Sequence, residues 1–397
     1  MPRANVFRSL HIKNYRLFFF AQIISVTGKW LQMTAVPWIV YSMTGSAVLL
    51  GLAAFLEQIF SLILAPFAGT AADKFCRRKM LIITQSTFMV LAFLLAFLRF
   101  SGVMQVWHIF VIAACLGIVS AFDMTTRQAF IIDLVPKENL VNAVGLNTLI
   151  YNVARFIGPA MAGVIIATLG DAYCFLFNAI SYIFVIWALW RITPLKHNIE
   201  NTVIGFKQKF KTGLDFIKNN RTIKNMLFLV AAVMSLSVFP LVLMPVFVKD
   251  IYALGPQGFG VFMAASGFGA LLATITIASK TDTQNIKKQI TYASLFIGVG
   301  IMCFSSIINV YAAGIFLAVT GYCMVMTTGL VNIYVQTTAP HANRGTVIGF
   351  FIMAFAGFMP IGSLLAGNMA SLIGARTTSF AAGAIVLAVA VFLRKKI

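Results

Sequence analysis

Acidic side chains are scarce in this chain: ten Asp and Glu stand among 397 residues, and charged residues of both signs reach only 10%. Soluble domains carry about 25%, so a water-facing surface along the whole length is excluded. Cysteine is scarce too. The five present (Cys76, Cys115, Cys174, Cys303, Cys323) show no paired spacing, and four lie in or beside apolar stretches, which supports neither a disulfide framework nor a metal cluster. The four histidines, His11, His108, His197 and His341, fall near span ends or in loops, so no histidine relay runs through the spans. A glycine-rich phosphate loop, a nucleophile with its base and a metal-ligand spacing are all missing. Those absences argue against an enzyme, a bound cofactor and a pump that hydrolyses ATP itself. The short alternating segments of a membrane barrel are missing as well.

What fills the chain instead is apolar sequence. Hydrophobic residues make up 60%, and mean hydropathy is +0.93. Runs of around 20 residues, long enough to cross a bilayer, recur near 15–42, 46–68, 80–100, 106–126, 142–168, 172–192, 225–248, 257–279, 289–307, 311–334, 346–370 and 375–393. The expectation is an all-α polytopic membrane protein with twelve transmembrane helices. The run after the basic N-terminal segment is too long for a signal peptide, so the first helix is expected to stay.

Net charge is +20. With the N-terminus inside, Arg99, Lys249 and Arg376 fall at outer ends, and Lys29 and Arg155 fall within spans. The remaining Lys and Arg lie on one side, as the positive-inside rule requires. Both termini are therefore expected in the cytoplasm of a bacterial inner-membrane protein. The basic excess reports topology, so nucleic acid is not implied as a partner.

The longest polar segment separates spans six and seven. It divides the chain into an N-terminal six-helix bundle (1–192), an amphipathic cytoplasmic linker (193–224) and a C-terminal six-helix bundle (225–397). In the linker Phe206, Phe210, Leu214 and Ile217 recur at helical spacing, with Lys207, Lys209, Lys211 and Lys218 elsewhere, as in a helix lying on an anionic leaflet. A faint internal repeat supports the halves. "RQAFIIDLVPKENLVNAVG…GPAMAG" enters span five, "QTTAPHANRGTVIGF…MPIGSLLAG" enters span eleven, and Pro159 and Pro360 stand about half a chain apart. Duplicated helical halves mark secondary transporters.

Several stretches resemble one known family. "GTAADKFCRR" is similar to the loop 2–3 motif of the major facilitator superfamily, G-x-x-x-D-[RK]-x-G-R-[RK]. "GKWLQMTAVPWIVYSMTGSA", "AFDMTTRQAFIIDLVPKENLVNAVGLN", "NVARFIGPAMAG" and "HANRGTVIGF" narrow the resemblance to its secretion-effector branch, which includes enterobactin exporters and multidrug pumps. The resemblance implies two pseudo-symmetric bundles, a central cavity and alternating access, usually coupled to protons. It also implies an inner gate at Gly69, Asp73, Lys74, Arg77 and Arg78, joined by Asp123, Arg127 and Arg344. Gly69 would permit close helix approach, while Cys76 departs from the motif's Gly, so a different turn is expected there. Gly158, Pro159 and Gly163 resemble the antiporter motif of helix five.

The residues themselves mark a second region. Lys29, Glu57 and Arg155 lie deep in spans, where a charge costs roughly 2.5–3.5 kcal/mol even on the lenient insertion scale. Counted from the turn near Thr44, Lys29 and Glu57 reach similar depth on adjacent antiparallel helices, with Arg155 at comparable height. Gln22, Ser25, Lys29 and Gln32 share one face of helix one, and Asn147, Tyr151 and Arg155 share one face of helix five. On helix ten, Thr327, Thr328, Asn332 and Gln336 make the inner end polar, and Met324 and Met326 sit nearby. The expectation is that Glu57 exchanges protons while Lys29 and Arg155 hold an anion; a static Lys29–Glu57 ion pair is the alternative. Asp123 and Arg127 have salt-bridge spacing, and they read equally as helix-end solvation or gate.

These readings predict a proton-coupled exporter of a small, anionic, siderophore-like molecule, working as a monomer with the bilayer and protons as its other partners. Broad multidrug efflux, uptake by symport and a non-transporting receptor or scaffold remain alternatives.

Overall fold

In hydrocarbon a spanning backbone must satisfy its own polar groups, which leaves these apolar runs one form, the helix. The computed structural model describes residues 7–193, 206–279, 285–340, 344–394 and 396–397. Among these no strand occurs. The first six long helices are α1 (Lys13–Thr44), α2 (Ala47–Lys74), α3 (Arg77–Phe100), α4 (Val106–Ile132), α5 (Leu140–Thr168) and α6 (Ala172–Arg191). The shorter α7 (Phe206–Asn219) follows, then α8 (Arg221–Leu236), α9 (Phe239–Val242), α10 (Met244–Val246), α11 (Pro256–Ser279) and α12 (Ile286–Ser306). The last four are α13 (Val310–Thr338), α14 (Arg344–Ala356), α15 (Met359–Ile373) and α16 (Ala375–Leu393).

Among the described residues, eleven helical stretches are long and apolar enough to cross a membrane. The remaining long helix, α1, has the length, but Gln22, Ser25, Lys29 and Gln32 dilute its hydropathy. Large apolar side chains such as Ile83, Phe97, Trp190 and Leu372 are exposed, as lipid-facing surfaces require.

Two of the expected continuous spans are divided. The seventh runs through α8, α9 and α10 and ends in a π turn, Phe247–Ile251, with Pro240 and Pro245 in its short pieces. The eleventh stops at Ala356 and restarts at Met359, with Pro360 in the first turn of α15. Pro159, the repeat partner of Pro360, instead lies inside the unbroken α5.

Contacts group the chain into two compact units. The first comprises Met1–Thr44, Leu56–Ile199 and Gly255–Ala264, the second Gly45–Phe55, Glu200–Leu254 and Ala265–Ile397. Within the first, α1 packs on α5 and α6, and α3 packs on α4 and α6. Its core gathers Tyr15, Phe18, Leu81, Phe130, Val185 and Leu189. Within the second, α12 lies between α13 and α16, around Ile223, Val230, Ile290, Ile297, Val331 and Val386. The linker helix α7 sends Ile217 into that second core, so this residue is covered by protein and not by lipid. The side chains of Phe206, Lys207, Lys209, Phe210 and Lys211 lie outside the described residues.

Candidate transport site

The polar face of α1 runs through the interior of the first unit. Gln22, Ser25 and Gln32 are buried there. Gly28 makes room for α6: a side-chain carbon on it would lie 2.6 Å from the Ser181 hydroxyl. The Asn178 amide of α6 donates to Gln32 at 2.7 Å. Between Gln22 and Gln32, the Lys29 ammonium stands 5.5 Å from the centre of the Phe88 ring, which itself stacks on Tyr182. An aromatic face offers a cation partial compensation without neutralising it.

Glu57 comes from α2. Its backbone carbonyl abuts Gly117 of α4, and it lines a small cavity together with Gln32, Met33, Leu95, Ile112 and Leu116. Lys29 lies close enough to feel the charges of both Glu57 and Arg127. Among the described residues, however, Lys29 and Glu57 form no direct ion pair. The similar depth expected for the two is therefore present as proximity, without the contact that a static pair needs.

Asp123 and Arg127 form the ion pair that their spacing indicates. They do not sit at a solvated helix end: Asp123 is 1% exposed and Arg127 7%. The Asp123 carboxylate also accepts from the Thr84 hydroxyl at 3.0 Å and the Gln85 amide at 2.6 Å, both on α3. Arg127 donates to Gln22 of α1 at 3.3 Å and to the Tyr151 hydroxyl of α5. One network thus joins four helices, because a buried pair is tolerable only when its remaining lone pairs and protons find partners. The reading of Asp123 and Arg127 as helix-end residues is corrected accordingly. Thr84, Gln85 and Asn178 were missed; each is a polar residue inside an apolar span, a weaker signal than charge.

On α5, Asn147, Tyr151 and Arg155 are half-buried. Tyr151 joins Arg127, whereas Arg155 has no ion partner among the described residues. The next turns of α5 are packing surfaces. A side-chain carbon at Gly158 would lie 2.4 Å from Cβ of Trp30, and one at Gly163 would lie 2.9 Å from Cα of Gly260 on α11.

This constellation has charge inside spans and a cavity beside a carboxylate, and its sequence matches a known family. The transmembrane secretion effector family model matches residues 4–397. The chain belongs to that family. It is 26% identical to the staphyloferrin A transporter of Staphylococcus aureus, over 90% of each chain. It is likewise 26% identical to the multidrug efflux pump Tap of Mycolicibacterium fortuitum, over 92% of this chain and 91% of that one. Its fold is that of the nucleoside transporter NupG, with a TM-score of 0.77 at 11% identity over 97% of this chain and 100% of the other. This secretion effector is a major facilitator transporter of small molecules, a multi-pass protein of the bacterial inner membrane and not an enzyme.

The loop 2–3 motif of the secretion effector is occupied within its own unit. Arg77 forms an ion pair with Asp133 at 3.0 Å, joining the start of α3 to the end of α4. Arg78 donates to the carbonyls of Leu189 and Trp190, both at 2.7 Å, where the last turn of α6 has free acceptors and negative dipole. Lys74 is exposed. Cys76 turns at φ −62°, so the chain needs no left-handed residue there and no strain arises. A side-chain carbon at Gly69 would meet nothing within 4 Å among the described residues. The side chains of Asp73 and Arg344 lie outside the described residues, as does His341.

In the second unit, the Thr328 hydroxyl donates to the Met324 carbonyl at 2.9 Å, and the Gln336 amide donates to Asn332 at 2.9 Å. Both bonds are local to α13. Thr327 is fully buried with its hydroxyl unpaired. Met324 and Met326 belong to the hydrophobic core.

Proposed function

We propose that this secretion effector exports a small organic anion, a carboxylate or catecholate siderophore being the leading class, against an inward flow of protons. Glu57 exchanges the proton, and Lys29 and Arg155 hold the anion. The observation that carries the reading is the contrast among three basic residues within spans. Arg127 is committed to Asp123, while Lys29 and Arg155 have no carboxylate partner among the described residues. A cation left without a counter-ion in a span is costly, and a transported anion would offset that cost. The Glu57 carboxylate and the anion then compete for the basic residues, which couples substrate binding to the protonation of Glu57. The staphyloferrin A transporter among the relatives supports the substrate class.

In this reading residues 1–192 and 225–397 rock as two six-helix bundles about the 193–224 linker, with both termini in the cytoplasm. Asp73 and Arg344 contribute to the inner gate, and the monomer is the working unit. The test is flux in proteoliposomes under an imposed pH gradient. Wild-type protein should accumulate a carboxylate siderophore with the gradient, Glu57→Gln should lose the gradient dependence, and Lys29→Gln should lose the flux. Gradient-driven flux that persists in a well-folded Glu57→Gln protein removes Glu57 from coupling. The likeness to Tap favours a second reading, broad drug efflux, in which lipophilic drugs are carried and Lys29→Gln leaves that flux intact.

A further inference from the structure

The cavity beside Glu57 has a counterpart in the second unit. Ser237, Pro240, Ser266, Phe304, Thr320 and Met324 line a small cavity there. Gln32, Glu57 and Gly117 of the first unit correspond to Ser237, Ser266 and Gly321 of the second, each displaced by just over half the chain. The packing repeats with the positions. A side-chain carbon at Gly117 would strike the carbonyl of Glu57, and one at Gly321 would strike the carbonyl of Ser266. The two cavities differ in chemistry: Glu57 is among the residues that line the first, and Ser237, Ser266 and Thr320 are among those that line the second.

Three features of the second cavity point to a ligand of one kind. Ser237 is 2% exposed, and its hydroxyl has no hydrogen-bond partner. It caps α8 where the seventh span breaks, and Pro240 has no N–H to return to the Leu236 carbonyl. The end of α8 therefore carries the negative pole of its dipole beside an unpaired hydroxyl. Finally, the Thr320 hydroxyl gives its proton to the Phe316 carbonyl at 2.8 Å, leaving its oxygen lone pairs available. Neutral oxygens at the C-terminal end of a broken helix suit a small hard cation. The absence of a carboxylate from the lining argues against a divalent ion, whose affinity rises with ligand charge.

We propose that the second unit binds a single small monovalent cation, sodium being the probe, at the break of the seventh span between Ser237, Ser266 and Thr320. The site is independent of the anion and proton roles assigned to the first unit. Full-length protein in detergent should show a saturable rise in melting temperature when sodium chloride replaces choline chloride at equal ionic strength, because a ligand bound only by the folded state stabilises it. Radiolabelled sodium should bind at one site per chain. Loss of one oxygen ligand in Ser237→Ala or Ser266→Ala should weaken binding by about tenfold, or ~1.4 kcal/mol. Glu57→Gln should keep the full sodium response, so a failure of proton coupling in the first unit does not bear on this site. Equal melting in the two salts, or a sodium response undiminished in Ser266→Ala, overturns the proposal even if Ser237→Ala does not fold.

Discussion

The carbonyl oxygen of Glu57 lies against Gly117, so close that a side-chain carbon at position 117 would come within 2.5 Å of it. Helices α2 and α4 thus touch through backbone at the residue that lines the first cavity. Gly117→Ala should cost about 1–3 kcal/mol, the usual penalty of overpacking. Gly321→Ala should behave alike, since the Ser266 carbonyl would lie 2.2 Å from the new carbon. Thermal unfolding in detergent reads both, and a melt unchanged from wild type in either variant contradicts the contact.

Glycines elsewhere should respond in opposite ways. Gly163 and Gly260 face each other across α5 and α11, each with the other's backbone inside 3 Å of an added carbon, so Ala at either position should lower stability and flux. An added carbon at Gly69 meets nothing within 4 Å among the described residues, and Gly69→Ala should raise stability by about 0.5–1 kcal/mol, the helix-interior difference between the two residues. A loss of flux in that more stable variant would assign Gly69 to a conformation other than this one.

The Asp123–Arg127 pair should show strong non-additivity. Asp123→Leu leaves a buried guanidinium without its counter-charge and should destabilise by about 3–5 kcal/mol. Asp123→Leu combined with Arg127→Met should recover most of that loss, because an apolar pair of similar volume carries no desolvation penalty. Denaturant melts of the two singles and the double close the cycle; a double as unstable as the sum of the singles argues that Thr84, Gln85, Gln22 and Tyr151 matter more than the pair.

At the basic end of the first unit, the motif residues should separate by partner. Arg78→Ala removes two bonds to the end of α6 and should cost up to about 2 kcal/mol, the upper range for a cation at a helix C-terminus. Arg77→Ala and Asp133→Ala should couple by about 0.5–3 kcal/mol in a double-mutant cycle, as contacting residues do. Lys74→Ala, at an exposed position, should stay within about 0.5 kcal/mol of wild type. A Lys74 effect as large as that of Arg78 would show that this side chain has a partner in another state of the transport cycle.

Much of the fold was written in the order of residues. Run length and the siting of basic residues yielded the span pattern, because lipid accepts a crossing backbone only as a helix and the positive-inside bias orders the loops. Lys29, Glu57 and Arg155 were legible for a similar reason: a charge in an apolar run stands out. So was the Asp123–Arg127 pair, whose spacing of four residues is local information. Its burial was not, since depth depends on α1, α3 and α5 closing around it, and the polar residues that complete its shell carry no charge to announce them. The prolines teach the same division. Pro37 and Pro159 sit within continuous helices, while Pro240 and Pro360 stand where spans divide. A proline removes one hydrogen bond wherever it occurs. Whether the helix bends through that gap or breaks at it is decided by the neighbours that can take up the freed carbonyl, and only the tertiary structure supplies them.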